Sequence, residues 1–199
     1  MPDIEFIFDF ASPNAYLTHH VLPAMAESAG ISVKYTPCLL GGIFKLTNNQ
    51  APMIAFSKVS NKLAYERVEF TRFIARHKLT KFVWNPHFPV TTVLLMRGAI
   101  VAEQEGVFAP YIDAGLCAMW EDGDNMADPD VFVAALDRYG LDGSHFLARA
   151  QDPEIKQRLI EATDRAVAKG AFGVPTFFVG DEMFFGKDRL DQVLEAARG

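Results

Sequence analysis

The sequence predicts an α/β fold in which the two ends of the chain share one sheet and the middle forms an inserted block of helices. Residues 3–36 follow a strand, helix, strand pattern, and residues 170–190 contain two short apolar strands around a Gly-Asp-Glu turn, ahead of a final helix. Between them, apolar residues recur mainly at helical spacing. We expect one discontinuous sheet domain at 1–38 and 170–199, and an α-helical domain at 39–169.

The first predicted strand runs into the first predicted helix at a serine. Residues 3–10 are rich in aromatic and β-branched residues, Ser12 is a preferred N-cap residue, and Pro13 fits the first helical position. We expect this helix to end at Gly30 and to be kinked at Pro23. Because the first-turn amides of a helix lack internal partners, Ser12 is either a simple cap or a group beside a bound anion.

The following residues predict a second strand and then mostly helices. Residues 31–36 alternate apolar and polar side chains, which makes a strand parallel to the first, and residues 47–52 are an irregular loop. An apolar stripe from Leu63 to Ile74 indicates a helix with one charged face. Further helices are predicted at 91–105, 108–121, 129–139, 143–150 and 154–169.

Composition indicates a folded globular protein and argues against several functions. The chain has 199 residues, half of them apolar, which allows a substantial core. A net charge of −6 without a basic patch argues against nucleic-acid binding. The amino terminus is acidic and carries no secretory signal pattern, and no apolar run is long enough to span a membrane, so we expect a cytoplasmic protein.

The reactive residue types exclude some common chemistries. Cys38 and Cys117 form no Cys-x-x-Cys pair, so we expect free thiols and no disulfide exchange. The five histidines have no metal-ligand spacing, so no metal site is predicted. Ser12 lacks the Gly-x-Ser-x-Gly pattern, which argues against a serine hydrolase.

A proline stands at the entrance of the first carboxyl-terminal strand. Pro175 follows Val174 and is ordinary strand punctuation if their peptide bond is trans. A cis bond would instead leave the Val174 backbone groups free to pair with an extended peptide. The Gly-x-Pro-Thr-Phe context favours the cis form.

These elements together resemble the thioredoxin superfamily, and within it the glutathione-using 2-hydroxychromene-2-carboxylate isomerases and the related kappa-class glutathione transferases. The resemblance covers nearly the whole chain and implies a thioredoxin-like fold with an inserted helical domain. It is carried by motifs in the same order as in that family: Phe8-Asp9-Phe10-x-Ser12-Pro13, Leu40-Gly41-Gly42-Ile43-Phe44-Lys45, Asn49-x-x-Pro52, Lys62-x-x-Tyr65, Phe88-Pro89-Val90-x-Thr92, Gly173-Val174-Pro175-Thr176-Phe177 and Phe184-Phe185-Gly186-x-Asp188-Arg189-Leu190.

The resemblance implies reduced glutathione as cofactor and an isomerase of aromatic catabolism. Ser12 would donate a hydrogen bond to the glutathione thiolate, and Val174 beside Pro175 would pair with the cysteinyl part of the cofactor. The reaction would interconvert 2-hydroxychromene-2-carboxylate and trans-o-hydroxybenzylidenepyruvate. Two alternatives stay open: a kappa-like transferase that keeps the thiol adduct as product, and a non-catalytic thioredoxin-like binding module.

Four consecutive residues at the start of the last helix are predicted to hold the γ-glutamyl end of the cofactor. The exposed amides of Gly186, Lys187, Asp188 and Arg189 would bind its carboxylate, and the Asp188 side chain would pair with its ammonium group. Asp188 is otherwise only a favourable acid in a first helical turn.

Other residues of the matched motifs are predicted to line the cleft. Lys45 or Lys62 would meet a carboxylate of the substrate or of the cofactor, and Asn49 would bind either ligand. The stretch before Lys62 is a few residues longer than in the family pattern, so Lys58 competes with it.

Two aromatic residues complete the predicted site. Trp84 and Phe88 would wall the pocket for a small aromatic substrate, although core packing explains them nearly as well. The resemblance also suggests a homodimer.

Overall fold

The computed structural model describes residues 3–199, and these form a four-stranded mixed sheet to which both ends of the chain contribute. The sheet has the order β2-β1-β3-β4, with β1 parallel to β2, and β3 antiparallel to both β1 and β4. The predicted parallel pair and the shared sheet are therefore confirmed. The strands are β1 (Ile4–Phe8), β2 (Val33–Pro37), β3 (Thr176–Val179) and β4 (Glu182–Phe185).

Helices cover most of the remaining described residues. They are α1 (Pro13–His19), α2 (Leu22–Ser28), α3 (Leu40–Thr47), α4 (Pro52–Ala55), α5 (Ser60–His77), α6 (Val93–Glu105), α7 (Phe108–Cys117), α8 (Pro129–Arg138), α9 (Gly143–Arg149), α10 (Pro153–Ala168) and α11 (Leu190–Arg198). A π-helical turn at Ala118–Asp122 extends α7, and a 3-10 turn at Lys187–Arg189 precedes α11.

The structure corrects two expectations in the first half of the chain. The single helix predicted to run to Gly30 with a kink at Pro23 is two helices. Pro23 lies in the first turn of α2, where its missing amide costs nothing. The segment after the second strand was not predicted as a helix, yet it forms α3, which ends where Asn48 adopts a left-handed conformation with φ of 52°.

The two faces of the sheet are covered by different helices. Phe6 and Phe8 belong to the larger core, which contains α1, α6, α7 and the buried Trp120. Ile7 points to the other face and packs in a smaller core with residues of α3 and α10. Since α3 and α10 lie between residues 39 and 169, part of the predicted inserted domain packs directly on the sheet. The predicted domain boundaries stay a prediction.

Two glycines let α6 and α7 pack unusually closely against neighbouring side chains. A Cβ atom on Gly98 of α6 would lie 1.9 Å from the Tyr111 hydroxyl oxygen, and one on Gly115 of α7 would lie 2.5 Å from the Phe10 ring.

Within residues 3–199, none of the helices combines the length and the apolar character that a membrane span needs.

Candidate active site

The structure brings the serine at the start of α1 against the loop that precedes β3. This loop, residues 172–175, is called the proline loop. Ser12 is the N-cap of α1, and its Oγ accepts a hydrogen bond from Ala15 N at 3.3 Å. The same Oγ donates to Val174 O at 3.4 Å, across 162 residues of sequence. Ser12 is only 6% exposed. The cap and the meeting of the two motifs are thus both present.

The proline loop has the predicted backbone form. The Val174–Pro175 peptide bond is cis, which confirms that prediction, and Phe88–Pro89 is a second cis bond that was not predicted. No hydrogen-bond acceptor for Val174 N exists among residues 3–199. Gly186 N donates to Pro175 O at 2.9 Å, so the loop is held against the turn before α11.

A buried carboxylate that sequence reasoning left without a role lies three residues before Ser12. Asp9 is 1% exposed and accepts three hydrogen bonds: from Ala11 N at 2.9 Å, Leu40 N at 2.7 Å and the Thr92 hydroxyl at 2.6 Å. Burial raises the pKa of Asp9, and these hydrogen bonds oppose the rise. Its only signal in the sequence was its place in the first matched motif.

The turn between Asp9 and Ser12 is also held from the opposite side. Ser12 N donates to Asp9 O at 3.1 Å, and the indole of Trp120 donates to Phe10 O at 2.8 Å. The Phe10 ring packs against the backbone at Gly115. The junction between β1 and α1, residues 9–12, is therefore bonded to side chains from the helical part of the chain.

The residues predicted for the γ-glutamyl end form the 3-10 turn, which packs against α1. The Lys187 side chain is buried under α5, with Nζ 5.3 Å from the centre of the Phe73 ring. That ammonium lies 3.0 and 3.2 Å from the two carboxylate oxygens of Asp188. Asp188 itself is exposed, as is Arg189. The Lys187 ammonium is therefore paired with Asp188, and the binding of a ligand by the amides of residues 186–189 stays a prediction.

Asn49 fastens the loop after α3 to the proline loop. Its Nδ2 donates to Phe172 O at 2.8 Å, and its Oδ1 accepts from Gln50 N at 2.9 Å. Phe172 is two residues before Val174, so Asn49 lies beside the site. Its amide group is occupied by backbone partners in this structure.

The predicted cleft lysines are all exposed. Lys62 Nζ lies 3.5 Å from the centre of the Phe56 ring, a cation–π contact that keeps it at the start of α5. Lys45 and Lys58 are exposed without such a contact in the described part of the chain. This difference favours Lys62 over Lys58 as an ordered cation.

Trp84 and Phe88 join an aromatic cluster that reaches the reactive junction. The Trp84 ring is 55% exposed and packs against Phe70 and Phe82, at 4.9 and 5.3 Å between ring centres. Phe88 is half-buried and lies 5.8 Å from Trp120, whose indole is bonded to the turn before Ser12. Both aromatic residues are thus one ring away from the junction.

The remaining reactive groups lie outside this arrangement. Burial is the main cause that raises the pKa of the Cys38 thiol and of the Cys117 thiol, each to about 12. Both cysteines are free. Among residues 3–199, no group of three or more His, Cys, Asp or Glu side chains is arranged to hold a metal ion.

The comparisons with known proteins agree with this geometry. The family model described as a DSBA-like thioredoxin domain matches residues 3–198. The chain belongs to the DSBA-like thioredoxin domain family. The predicted thioredoxin-like fold is therefore confirmed.

The relatives of this DSBA-like protein place it among isomerases and glutathione transferases. The 2-hydroxychromene-2-carboxylate isomerase of Pseudomonas sp. (strain C18) is 30% identical over 201 residues, which cover 98% of this chain and 90% of that protein. Glutathione S-transferase kappa 1 of Rattus norvegicus is 26% identical over 197 residues, covering 94% of this chain and 87% of the relative.

The solved structures support the same branch of the DSBA-like family. A structure of 2-hydroxychromene-2-carboxylate isomerase superposes with a TM-score of 0.83 at 27% identity, covering 97% of this chain and 93% of that chain. The chain is thus an enzyme of the isomerase and kappa-transferase type, as predicted.

Proposed function

We propose that the protein is a glutathione-dependent isomerase that interconverts 2-hydroxychromene-2-carboxylate and trans-o-hydroxybenzylidenepyruvate type compounds. The observation that carries the proposal is the 3.4 Å contact between Ser12 Oγ and Val174 O. It joins an anion-stabilising helix start to a backbone edge that can receive a peptide. The names of the relatives supply the substrate class.

The residues at the junction fit a peptide thiol. Val174 N has no acceptor within residues 3–199, so it is available to a backbone carbonyl of the cofactor. The Asn14 amide in the first turn of α1 likewise has no partner there, and Ser12 Oγ can turn its proton from Val174 O to a sulfur anion. Bound reduced glutathione would supply a thiolate nucleophile that adds reversibly to the conjugated substrate.

The contribution of Ser12 to ionisation has an upper limit. A free thiol with a pKa of ~8.5 is only about 3% ionised at pH 7, and a pKa lower by ~2 units makes most of it thiolate. That gain is at most about 30-fold. Any further acceleration comes from the orientation of substrate and sulfur, for which the site provides a rigid junction.

The ends of the cofactor and the substrate have separate places in the proposal. Exposed Asp188, at the turn packed on α1, pairs with the γ-glutamyl ammonium. The Lys187 ammonium holds the Asp188 carboxylate in place. The aromatic substrate stacks at exposed Trp84 near Phe88, and Lys62 meets a carboxylate.

Replacement of Ser12 by alanine tests the proposal. We expect Ser12→Ala to lower glutathione-dependent turnover by about tenfold, and by no more than about 30-fold, because Ser12 contributes only to the ionisation of the thiol. The matched control is Ser144→Ala, at an exposed serine of α9 outside the site, which should keep full turnover. Full activity of Ser12→Ala would refute the proposal.

A kappa-like transferase is the second candidate, favoured by the match to the rat enzyme. The two reactions differ in their mass balance, because isomerisation returns the thiol and transfer consumes it. Titration of free thiol after many turnovers therefore separates them. Absence of both glutathione binding and chromene turnover would instead indicate a binding module.

The cytoplasmic location and the homodimer are also part of the proposal. Two free cysteines fit a reducing compartment. Exposed apolar side chains at Leu46, Ile54 and Tyr65, on α3, α4 and α5, offer a surface that a second copy can cover. Light scattering at working concentration measures whether the dimer exists.

A further inference from the structure

The buried Asp9 is connected to the reactive junction by an unusual use of a helix cap. Thr92 occupies the N-cap position of α6 and is 3% exposed, but its hydroxyl makes no cap hydrogen bond to its own helix. It donates to Asp9 Oδ1 at 2.6 Å instead, across 83 residues. A threonine at this position ordinarily stabilises its own helix, so the hydroxyl serves the distant carboxylate.

The carboxylate in turn shapes the segment that ends at Ser12. Asp9 Oδ1 also accepts from Ala11 N at 2.9 Å, and its main-chain oxygen accepts from Ser12 N at 3.1 Å. Asp9 therefore holds the backbone amides of both Ala11 and Ser12 in place. A shift of Asp9 would move the Ser12 backbone with it.

The second oxygen of Asp9 is bonded to the start of another helix. Oδ2 accepts from Leu40 N, the first residue of α3, at 2.7 Å. The positive end of α3 thus stabilises this carboxylate.

We propose that Asp9 and Thr92 form a positioning pair that sets the Asp9–Ser12 turn and thereby the direction of Ser12 Oγ. The pair makes the reactive junction depend on α6, an element of the helical part of the chain. This inference deepens the proposed function and rests on it only for its effect on turnover.

A thiol placed at position 12 tests the pair without any cofactor. In Ser12→Cys, the pKa of the new thiol is measured from the pH dependence of its alkylation, with the modified peptide identified by mass spectrometry. Cys38 and Cys117 interfere little, because burial raises the pKa of each to about 12. Thr92→Val is then added to remove only the hydroxyl, and Thr92→Ser is the matched control that keeps it.

We expect Thr92→Val to raise the pKa of the thiol at position 12 by about one unit, because the side chain leaves the cap geometry that faces the first-turn amides. Thr92→Ser should restore the value of the single variant. An unchanged pKa in Thr92→Val overturns the proposal. A lowered pKa also overturns it, since the pair would then act through charge and not through position.

Two further measurements keep the test decisive. If Thr92→Val does not fold, Thr92→Ala is used in its place, with the same expected direction, because it also removes the hydroxyl without changing the charge. In the protein with native Ser12, Thr92→Val should lower kcat by about tenfold with a smaller change in the glutathione dissociation constant. Equal losses in both constants would contradict a positioning role. Failure of the unmodified protein to bind glutathione would refute the proposed function and leave the thiol measurement to decide on the pair.

Discussion

At the scale of single residues, the hydrogen bonds of each side chain show what it does at the site. Ser12 is both a helix cap and the group that contacts Val174 O. Lys187 illustrates the same point, because its side chain is buried and its ammonium is paired with Asp188. A side chain in a matched motif can therefore also hold its neighbour in place.

Replacement of Asp188 by asparagine measures whether its charge binds the cofactor. We expect Asp188→Asn to raise the dissociation constant of glutathione about tenfold, or ~1.4 kcal/mol, because the ammonium of the cofactor loses its charged partner. Calorimetry gives the constant directly. Asp181→Asn, at an exposed position in the turn between β3 and β4, is the control and should leave it unchanged. An unchanged constant in Asp188→Asn would rule out this pairing.

The helix cap and the cis-proline of the candidate site were predictable from residue types. The long-range hydrogen bonds that hold them were not. A strand followed by Ser-Pro predicts a capped helix start, and Gly-x-Pro before a strand favours a cis bond, since both signals are local. The hydrogen bond between Asp9 and Thr92 spans 83 residues and depends on how α6 packs. No spacing rule connects such distant residues.

At the scale of elements, α3 forms because of its tertiary contacts and not because of its helix propensity. The two glycines at the start of α3 disfavour a helix, but Ile43 is buried in the smaller core and Leu40 N is bonded to Asp9. Tertiary contacts therefore stabilise a helix that the sequence pattern did not predict. The exposed Asn49 then links the end of this element to the proline loop.

The contact between α6 and α7 provides a stability test at this scale. Gly98→Ala should lower the free energy of unfolding by about 1–3 kcal/mol, because the new methyl group overlaps the Tyr111 hydroxyl. Gly41→Ala, in α3 with open space around its Cβ position, should raise it by roughly 0.5–1 kcal/mol through helix propensity. Urea unfolding followed by circular dichroism measures both. Equal changes in the free energy of unfolding for the two substitutions would contradict a steric clash between residue 98 and Tyr111.

At the scale of the whole molecule, the buried carboxylate couples stability to pH. Burial raises the pKa of Asp9 in the folded protein above its ordinary value. The folded state therefore binds this proton more tightly than the unfolded state does. The resulting stabilisation is fully present below the ordinary pKa and is lost as the pH rises through the folded pKa.

A comparison of the original protein with Asp9→Asn isolates this contribution. We expect the thermal midpoint of the original protein to fall relative to that of Asp9→Asn as the pH rises from about 4. Glu5 and Asp113, whose pKa values are lowered in the fold, act in the opposite direction, but they are present in both proteins and cancel. A difference in midpoint that does not vary with pH, or that grows in favour of the original protein, would contradict the raised pKa.

The two tryptophans occupy contrasting environments, and this gives the protein an intrinsic optical reporter. Trp120 is fully buried and its indole is bonded to Phe10 O beside the reactive junction, whereas Trp84 is open to solvent. Their emission should therefore differ in wavelength and in sensitivity to a soluble quencher. An aromatic compound stacked on Trp84 would shield that fluorophore selectively, so ligand affinity can be followed in solution without a label.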